Sequence, residues 1–404
     1  MKADMRRYTR HARGMTLIEL LVAMAIGLIV TLAVTTLVTV GEAQKRTALA
    51  TNDMGQNGAY AAYVLDRAVR SAGSGLVQSS NLGVFGCQLS ATRTPGGTVL
   101  PRPSAFPAPF ANFLGGSGSV RFAPLLIGKG QGVNNSDILV VMGGNAAAGD
   151  VPRPIRAGVA GTSNLRLDNT IGLADGDLLM VSQEGTQDCL IEQANDPGGT
   201  LDDSGNDVVT VEGATYVTTT GATTPLNTLT GSSSAYLTTL GNLKTRNVQF
   251  QLIGANAQRT LVSYDLLRMA GTGGDADAQQ SLADGVIGLY ALYGVDTDND
   301  GLVNDWIDPG ATGYDIATVM TTPATMRKIL AVRIALVLQS SIPQISTQQN
   351  TSTADLAAVS ASSLTLFGDL TDTTKRRTVN LPDTNYRYRV VDTTIPLRNM
   401  SLQP

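Results

Sequence analysis

The stretch Gly14-Met15-Thr16-Leu17-Ile18-Glu19-Leu20 carries one acid at the mouth of a long run without charge, and a short basic leader stands before it. The run from Leu20 to Gly41 holds 22 residues and no charged side chain. At about 1.5 Å per helical residue it is roughly 33 Å long, enough to cross a bilayer. The leader sets Lys2, Arg6, Arg7, Arg10 and Arg13 against Asp4. By the positive-inside rule it stays cytoplasmic and sends the rest of the chain across the membrane.

A secretory signal peptide would place small residues of the A-x-A kind after the apolar run. Here the chain continues instead through Ala43, Ala48 and Ala50 in helix-forming sequence. A simple signal anchor would leave Glu19 unexplained, because an acid within a span costs up to about 3 kcal/mol, less near the ends. Together Gly14, the hydrophobic residue after it, Thr16-Leu17 and Glu19 resemble the class III signal of type IV pilins and pseudopilins. The resemblance implies that a prepilin peptidase cuts after Gly14 on the cytoplasmic side and methylates the new terminal amine of Met15. The hydrophobic helix then stays on the mature protein. It also implies that Glu19 pairs with the terminal amine of a neighbouring subunit as it enters a filament, an attraction that a low-dielectric bilayer strengthens. Met15 departs from the phenylalanine of most members, a change that similar pilins tolerate.

Aromatic residues make up 5% of the 404-residue chain and charged residues 15%. With abundant Gly, Ser, Thr and Asn, this suits a β-rich extracytoplasmic domain with many loops. Removing the leader takes five basic residues and one acid from totals of 29 and 33, leaving 24 against 32 and a net charge of −8. Binding of nucleic acid through a basic surface is disfavoured. The only histidine, His11, lies in the leader, so the processed chain has no imidazole for Ser-His-Asp or Cys-His catalysis or for a His-ligated zinc site. No G-x-S-x-G, Walker or dinucleotide fingerprint occurs in a convincing context, and the chain reads as a non-enzyme.

Past the span, residues 42–72 continue the helix in amphipathic form. Leu49, Met54, Ala61, Leu65, Ala68 and Val69 recur at steps of three and four, and Gly73-Ser74-Gly75 is the expected stop. A helix from Met15 to Ser71 would be roughly 85 Å long, and its outer half needs a sheet to cover its apolar face. Gly55 and Gly58 break the heptads of a free coiled coil. The expected organisation is a leader at 1–14, a transmembrane and assembly helix at 15–41, its continuation at 42–72, and a β-rich periplasmic head at 73–404. The fold class is α+β, a long helix packed on an antiparallel β-rich head with long loops.

In the head, Asp137–Met142, Asp177–Ser182, Cys189–Gln193, Asp207–Glu212, Asn247–Ile253, Thr260–Met269 and Val286–Tyr293 read as strands. The clearest is Lys328–Leu338, with Leu330, Val332, Ile334, Leu336 and Leu338 at period two, and Tyr386–Val391 is a closing strand to pair with it. The polar stretch Gln339–Arg377 reads as a mobile loop and Gly213–Gly241 as a second surface excursion.

Tyr63-Val64-Leu65-Asp66-Arg67-Ala68-Val69-Arg70-Ser71-Ala72-Gly73 followed by Gly86-Cys87, then Asp188-Cys189-Leu190, Asp284-Gly285-Val286, Tyr293-Gly294-Val295-Asp296, and Tyr388-Arg389 through Leu397-Arg398-Asn399 resemble PilW-type minor pilins. The related J pseudopilin of type II secretion is the nearest competitor, and a membrane-anchored calcium-dependent glycan-binding module or hydrolase is the rival from another class. The PilW resemblance implies a low-copy tip complex that primes or caps a type IV pilus, with roles in adhesion and twitching. Its partners would be other minor pilins, the major pilin, the inner-membrane platform protein, the prepilin peptidase and a tip adhesin. It places the protein in the inner membrane with its head in the periplasm before assembly, and at the pilus tip afterwards.

Cys87 and Cys189 are the only thiols, and both lie beyond the membrane in this topology. An even pair in an oxidising compartment reads as a disulfide, the alternative being two buried free cysteines. The most chemical-looking segment is Asp296-Thr297-Asp298-Asn299-Asp300-Gly301-Leu302-Val303-Asn304-Asp305. Carboxylates at the first, third and fifth positions converge when a glycine at the sixth permits a sharp turn, and the carbonyl of Leu302 can join them. This is how an EF-hand-type Ca²⁺ loop begins. The twelfth position holds Ile307 instead of Glu, leaving Asn304, Asp305 or Asp308 to close the shell around a structural ion. The alternative is an acidic, solvated β-turn.

Overall fold

The computed structural model describes residues 14–400 apart from 145–150, 157–162, 186–187, 202–206, 218–224, 232–233, 246, 270–273 and 344–359. The leader through residue 13, with His11, lies outside the described residues. The chain divides into two compact units, residues 1–52 and 53–404.

One helix, Leu17–Arg70, runs through both units. In the first unit its apolar side chains from Leu17 to Val40 stand exposed. The threonine hydroxyls turn back onto the helix's own carbonyls, Thr31 Oγ1 donating to Gly27 O at 2.8 Å and Thr35 Oγ1 to Thr31 O at 2.9 Å. No hydroxyl there needs water, which is what a helix must achieve to sit in hydrocarbon. By length and composition this helix can cross a membrane. Leu49, expected on the buried face, is exposed.

In the second unit, Met54, Ala61, Leu65, Ala68 and Val69 are buried at helical spacing, so one stripe of the helix seats on the head. Gly58 lies at the closest approach. A Cβ there would meet Val391 Cγ2 at 2.9 Å and both Leu338 methyls at 3.3 Å. The glycines that break a coiled-coil heptad are therefore the notch that lets the helix sit close to a sheet. Gly73, at φ +73°, takes the left-handed conformation that ends helices. Its N–H donates to Met142 O at 2.8 Å. Asn399 Nδ2 donates to Ala72 O at 2.8 Å and reaches Arg70 O at 3.5 Å, so the carboxyl-terminal end of the chain satisfies carbonyls that the helix leaves open.

The sheet beneath that notch has four antiparallel strands in the order Asp305–Ile307, Val286–Val295, Ile329–Gln339, Tyr388–Pro396. The anticipated pairing of the last two holds over nine residues, from Ala331 opposite Pro396 to Gln339 opposite Tyr388. A second sheet of five antiparallel strands runs Gln279–Asp284, Thr260–Asp265, Gln249–Ala255, Ile138–Gly143, Leu125–Gly128. Thr260–Asp265 stops short of the expected Met269 because the Asp265 carboxylate accepts the N–H groups of Leu267 at 3.0 Å and Met269 at 2.7 Å, turning the chain. These two sheets and the helix share the main core.

A further sheet is ordered Tyr216–Val217, Gln88–Arg93, Asp188–Gln193, Asp177–Gln183, Ala235–Asn242, Arg153–Pro154, with Gly97–Leu100 paired on Gln88–Arg93. It departs from the antiparallel expectation at one pair, because Gln88–Arg93 runs parallel to Asp188–Gln193. One face of this sheet builds a separate small core from Leu179, Val181, Leu190, Leu237 and their neighbours.

Two expected loops are structured in their described parts, residues 218–224, 232–233 and 344–359 lying outside the described residues. Within Gly213–Gly241, Tyr216, Leu226, Leu229, Ala235 and Leu237 are buried, and Ala235–Asn242 is an inner strand of that sheet. Its threonines are polar yet buried with partners, Thr238 Oγ1 lying 2.8 Å from Ser79 Oγ. Within Gln339–Arg377, the strand Ser363–Leu366 pairs with Arg377–Asn380. Leu366, Phe367, Val379 and Leu381 pack with Ile287, Tyr290, Leu292, Ala335 and Val337. This hairpin covers the face of the four-stranded sheet turned away from the helix.

Replacing Gly58 with valine inserts a branched side chain where a single Cβ already meets Val391 and Leu338. Overpacking of this kind costs about 1–3 kcal/mol, so Gly58→Val is expected to lower the melting temperature measured by circular dichroism, while a substitution at exposed Gln56 leaves it unchanged.

Candidate functional site

The first candidate region is the amino terminus of the helix. Gly14 and Met15 are exposed, and nothing lies within 4 Å of a Cβ built on Gly14. Thr16 precedes the first helical residue. Its N–H and its Oγ1 each donate to Glu19 Oε2 at 3.1 Å, and Glu19 N–H donates to Thr16 Oγ1 at 3.3 Å. This is a reciprocal capping box, in which the side chains at the cap and three residues on satisfy each other's backbone donors. The role of Thr16 was missed in the sequence, although T-x-x-E before an apolar run is its signature. The Glu19 carboxylate thus begins the helix while standing exposed beside Ile18, Val22, Ala23 and Ile26.

The second is the pair Cys87 and Cys189, which form a disulfide with Cα atoms 5.6 Å apart. The parallel pairing explains how residues 102 apart in sequence meet. Leu89 lies opposite Cys189 and Gln88 opposite Asp188, which brings Cys87, just before its strand, beside the start of the other. Both cysteines are buried.

The third is the acidic loop joining Val286–Val295 to Asp305–Ile307. Carboxylate oxygens of Asp296, Asp298 and Asp300 lie within 4.8 Å of one another. Asp296 Oδ1 accepts Asn299 N–H at 2.6 Å and Asp300 N–H at 3.2 Å, and its Oδ2 accepts Gly301 N–H at 2.8 Å. Burial opposes the charge on Asp296, but the N–H groups of Gly301, Asn299 and Asp300 outweigh it and hold the carboxyl below its usual range. Gly301, at φ +84°, supplies the sharp turn. An ionised carboxylate offers about four lone-pair sites, so these hydrogen bonds leave acceptor capacity for a cation.

The closing side is different from the expected set. Asp305 pairs with Lys375 Nζ. Asp308 accepts Lys129 Nζ at 2.5 Å and Gly310 N–H at 2.7 Å, and Ile307 lies in a strand. Asn304 Oδ1 accepts Thr297 N–H at 3.0 Å while its Nδ2 donates to Asp298 Oδ1 at 2.7 Å. Leu302 is exposed, and its N–H donates to Asp300 Oδ1 at 2.8 Å. The loop therefore brings together three carboxylates and Asn304, and turns Asp305 and Asp308 toward lysines.

Residues 252–399 match the model of the family described as type IV pilus-assembly protein W, and residues 9–35 match the prokaryotic N-terminal methylation motif. The two matches together support a type IV pilus minor pilin of the PilW family. The PilW match covers the four-stranded sheet, its covering hairpin and Asn399, the residue that caps the helix. The methylation motif covers Gly14, Met15 and Glu19. The motif and the apolar helix behind it suggest a membrane-anchored pilin. Both cysteines lie outside the PilW match. No curated protein and no solved structure gives a significant match.

The disulfide closes a long loop and ties the residue before one strand to the start of its parallel neighbour. Cys87→Ser or Cys189→Ser is expected to destabilise the head by about 2–5 kcal/mol, read as a lower urea midpoint than that of the oxidised wild type. Reduction of the wild type should reproduce the shift.

Proposed function

We propose that this chain is a minor pilin of a low-copy tip complex that primes or caps type IV pilus assembly, working by subunit packing and recognition and not by catalysis. The observation that carries the reading is the exposed, capped start of an apolar helix, Thr16 to Glu19, within a matched methylation motif. The PilW match favours a pilus over a secretion apparatus. The prepilin peptidase acts at Gly14 and Met15. The other minor pilins, the major pilin, the platform protein and a tip adhesin are the partners of the assembled form. Before assembly the head stands in the periplasm and the helix in the inner membrane.

In this reading Glu19 has two successive tasks. In the single subunit its carboxylate is already bonded to Thr16. The methylated amine of a neighbour would meet an acid whose geometry the capping box holds, so little ordering entropy remains to be lost on pairing. Gly14→Leu is expected to block removal of the leader, leaving Met1 as the amino terminus by mass spectrometry of membrane-extracted protein. Glu19→Ala should still be cut after Gly14 but be recovered from the membrane and not from sheared pili. Cleavage after Gly41 in the wild type would overturn the pilin reading.

We further propose that the acidic loop holds a structural Ca²⁺, with Asp296, Asp298, Asp300, Asn304 and the Leu302 carbonyl as ligands. Three carboxylates close together repel one another unless a cation neutralises them. The absence of a glutamate at Ile307 and the diversion of Asp305 to Lys375 imply a weak site, about 10⁻⁴–10⁻³ M as in extracellular modules. Calcium titration should raise the melting temperature and change the fluorescence of Trp306, the sole tryptophan. In Asp298→Ala/Asp300→Ala both responses should vanish, and Mg²⁺ should substitute poorly because it demands a smaller octahedral shell.

A further inference from the structure

The strand Tyr388–Pro396 is an outer member of the four-stranded sheet, and no strand among the described residues pairs with its far side. It is nine residues long and pairs with Ile329–Gln339 without a register shift. The other outer strands of the three large sheets are short or interrupted. Tyr216–Val217 and Arg153–Pro154 have two residues each, Asp305–Ile307 three, Leu125–Gly128 and Gly97–Leu100 four, and the pairing of Gln279–Asp284 is broken by a register shift. Such edges keep unpaired backbone from recruiting another chain. Tyr388–Pro396 has no such guard. Val390, Val391, Thr393, Thr394 and Ile395 are β-branched and favour an extended chain. Its charges are turned elsewhere, Asp392 to Arg333 at 2.7 Å and Arg389 against the helix, where a Cβ on Gly55 would lie 3.1 Å from its Nη1.

The ladder fixes which way this backbone points. Just past one end Leu397 N–H donates to Leu330 O at 2.8 Å, and just before the other Arg387 O accepts Ser340 N–H at 2.9 Å. Alternate residues of an antiparallel strand bond to the same side, so the odd-numbered residues bond inward. Tyr388, Val390, Asp392 and Thr394 therefore direct their N–H and C=O groups away from the sheet, and these groups have no partner among the described residues. Pro396, next in that series, has no N–H and ends the usable edge. The faces of the strand are covered while its edge stays open. Tyr388 and Val390 pack on the hairpin core, and Val391 approaches Gly58 of the helix. Donors and acceptors stand along the edge at the spacing of an extended chain. The ligand complementary to them is another extended backbone, as in β-strand addition.

We infer that the edge from Tyr388 to Thr394 receives an extended strand of a neighbouring pilus subunit. That the neighbour is a pilus subunit rests on the proposed function. The edge runs beside the helix that the proposed function places in the filament, approaching it through Val391 at Gly58. A strand added there continues the interface of that helix. The incoming chain is held by its main chain, so its side chains set register and choice of partner while the ladder supplies the binding.

Amide hydrogen exchange read by residue-level mass spectrometry tests the edge directly, comparing the detergent-solubilised full chain with the same chain co-purified with its neighbours from membranes. The N–H groups of Val390, Asp392 and Thr394 should exchange at least about tenfold more slowly in the co-purified form. Val390→Pro and Thr394→Pro each remove an outward donor and leave the inward ladder in place. Each should melt with the wild type yet retain the neighbours about tenfold less well, whereas Thr394→Ala keeps its N–H and should retain them fully. If a proline variant does not fold, the exchange comparison in the wild type still decides. Unchanged exchange at these amides, in a chain cut after Gly14 and carrying its neighbours, would overturn the strand site and leave the pilin reading standing. Protection that appears in the purified chain and grows with its concentration would overturn the neighbour in favour of a second copy. A chain left uncut after Gly14, with no pilus subunit beside it, would overturn the pilin reading and this inference with it.

Discussion

The close seat of the amphipathic helix half on the four-stranded sheet is the contact on which the head depends. From Met54 to Val69 the helix offers one apolar stripe. At about 25 cal/mol per Å² of apolar area the gain from covering it is large only if water is excluded along its whole length. Gly58 makes that possible by letting the helix backbone come down onto Leu338 and Val391. A side chain there would hold the two surfaces apart and leave a gap in which dispersion contacts are lost on both sides. The end of the helix is fixed in the same spirit. Gly73 hands the chain to Met142 O, and Asn399 returns from the far end of the sequence to accept the role of a cap.

The sheet so covered has a second face, and the hairpin Ser363–Asn380 closes it with apolar and charged contacts together. Arg333 donates to Asp369 at 2.7 Å and to Asp392 at 2.7 Å while lying over the ring of Phe367. Arg377 reaches the fully buried Asp137. Burial drives the Asp137 carboxyl upward, and Arg377 opposes that shift. The N–H groups of Gly130 and Ala291 complete the carboxylate at 2.9 Å each. An acid this enclosed is tolerated because its hydrogen bonds are filled, and breaking such a pair leaves a stranded charge. Lys375 and Asp305 tie the same hairpin to the strand that leaves the acidic loop.

Much of the candidate site was legible in local sequence because its physics is local. An uncharged run of fixed length, an acid at its mouth, and three aspartates ahead of a glycine each act over a few residues. The helix Leu17–Arg70 and the pairing of Ile329–Gln339 with Tyr388–Pro396 followed from periods of 3.6 and 2 for the same reason. Asp305 shows where such reasoning ends. Its place in the loop made it a candidate ligand, and only a lysine 70 residues away in sequence decided otherwise.

The amino-acid sequence by itself determined the membrane helix, the processing motif, the β-rich head and the acidic turn, since each is written in side chains that act on near neighbours. The tertiary structure decided which polar stretches are buried, because Thr238 and Arg377 reveal their partners only when Ser79 and Asp137 are brought beside them. It decided that Gly58 is a notch and not a flaw, because a missing side chain acquires meaning from what approaches it. It also decided how Cys87 finds Cys189, through a parallel register that no spacing of two cysteines can encode. Contacts between distant segments depend on the path of the whole backbone, and that path is settled by the sum of the cores, not by any one stretch.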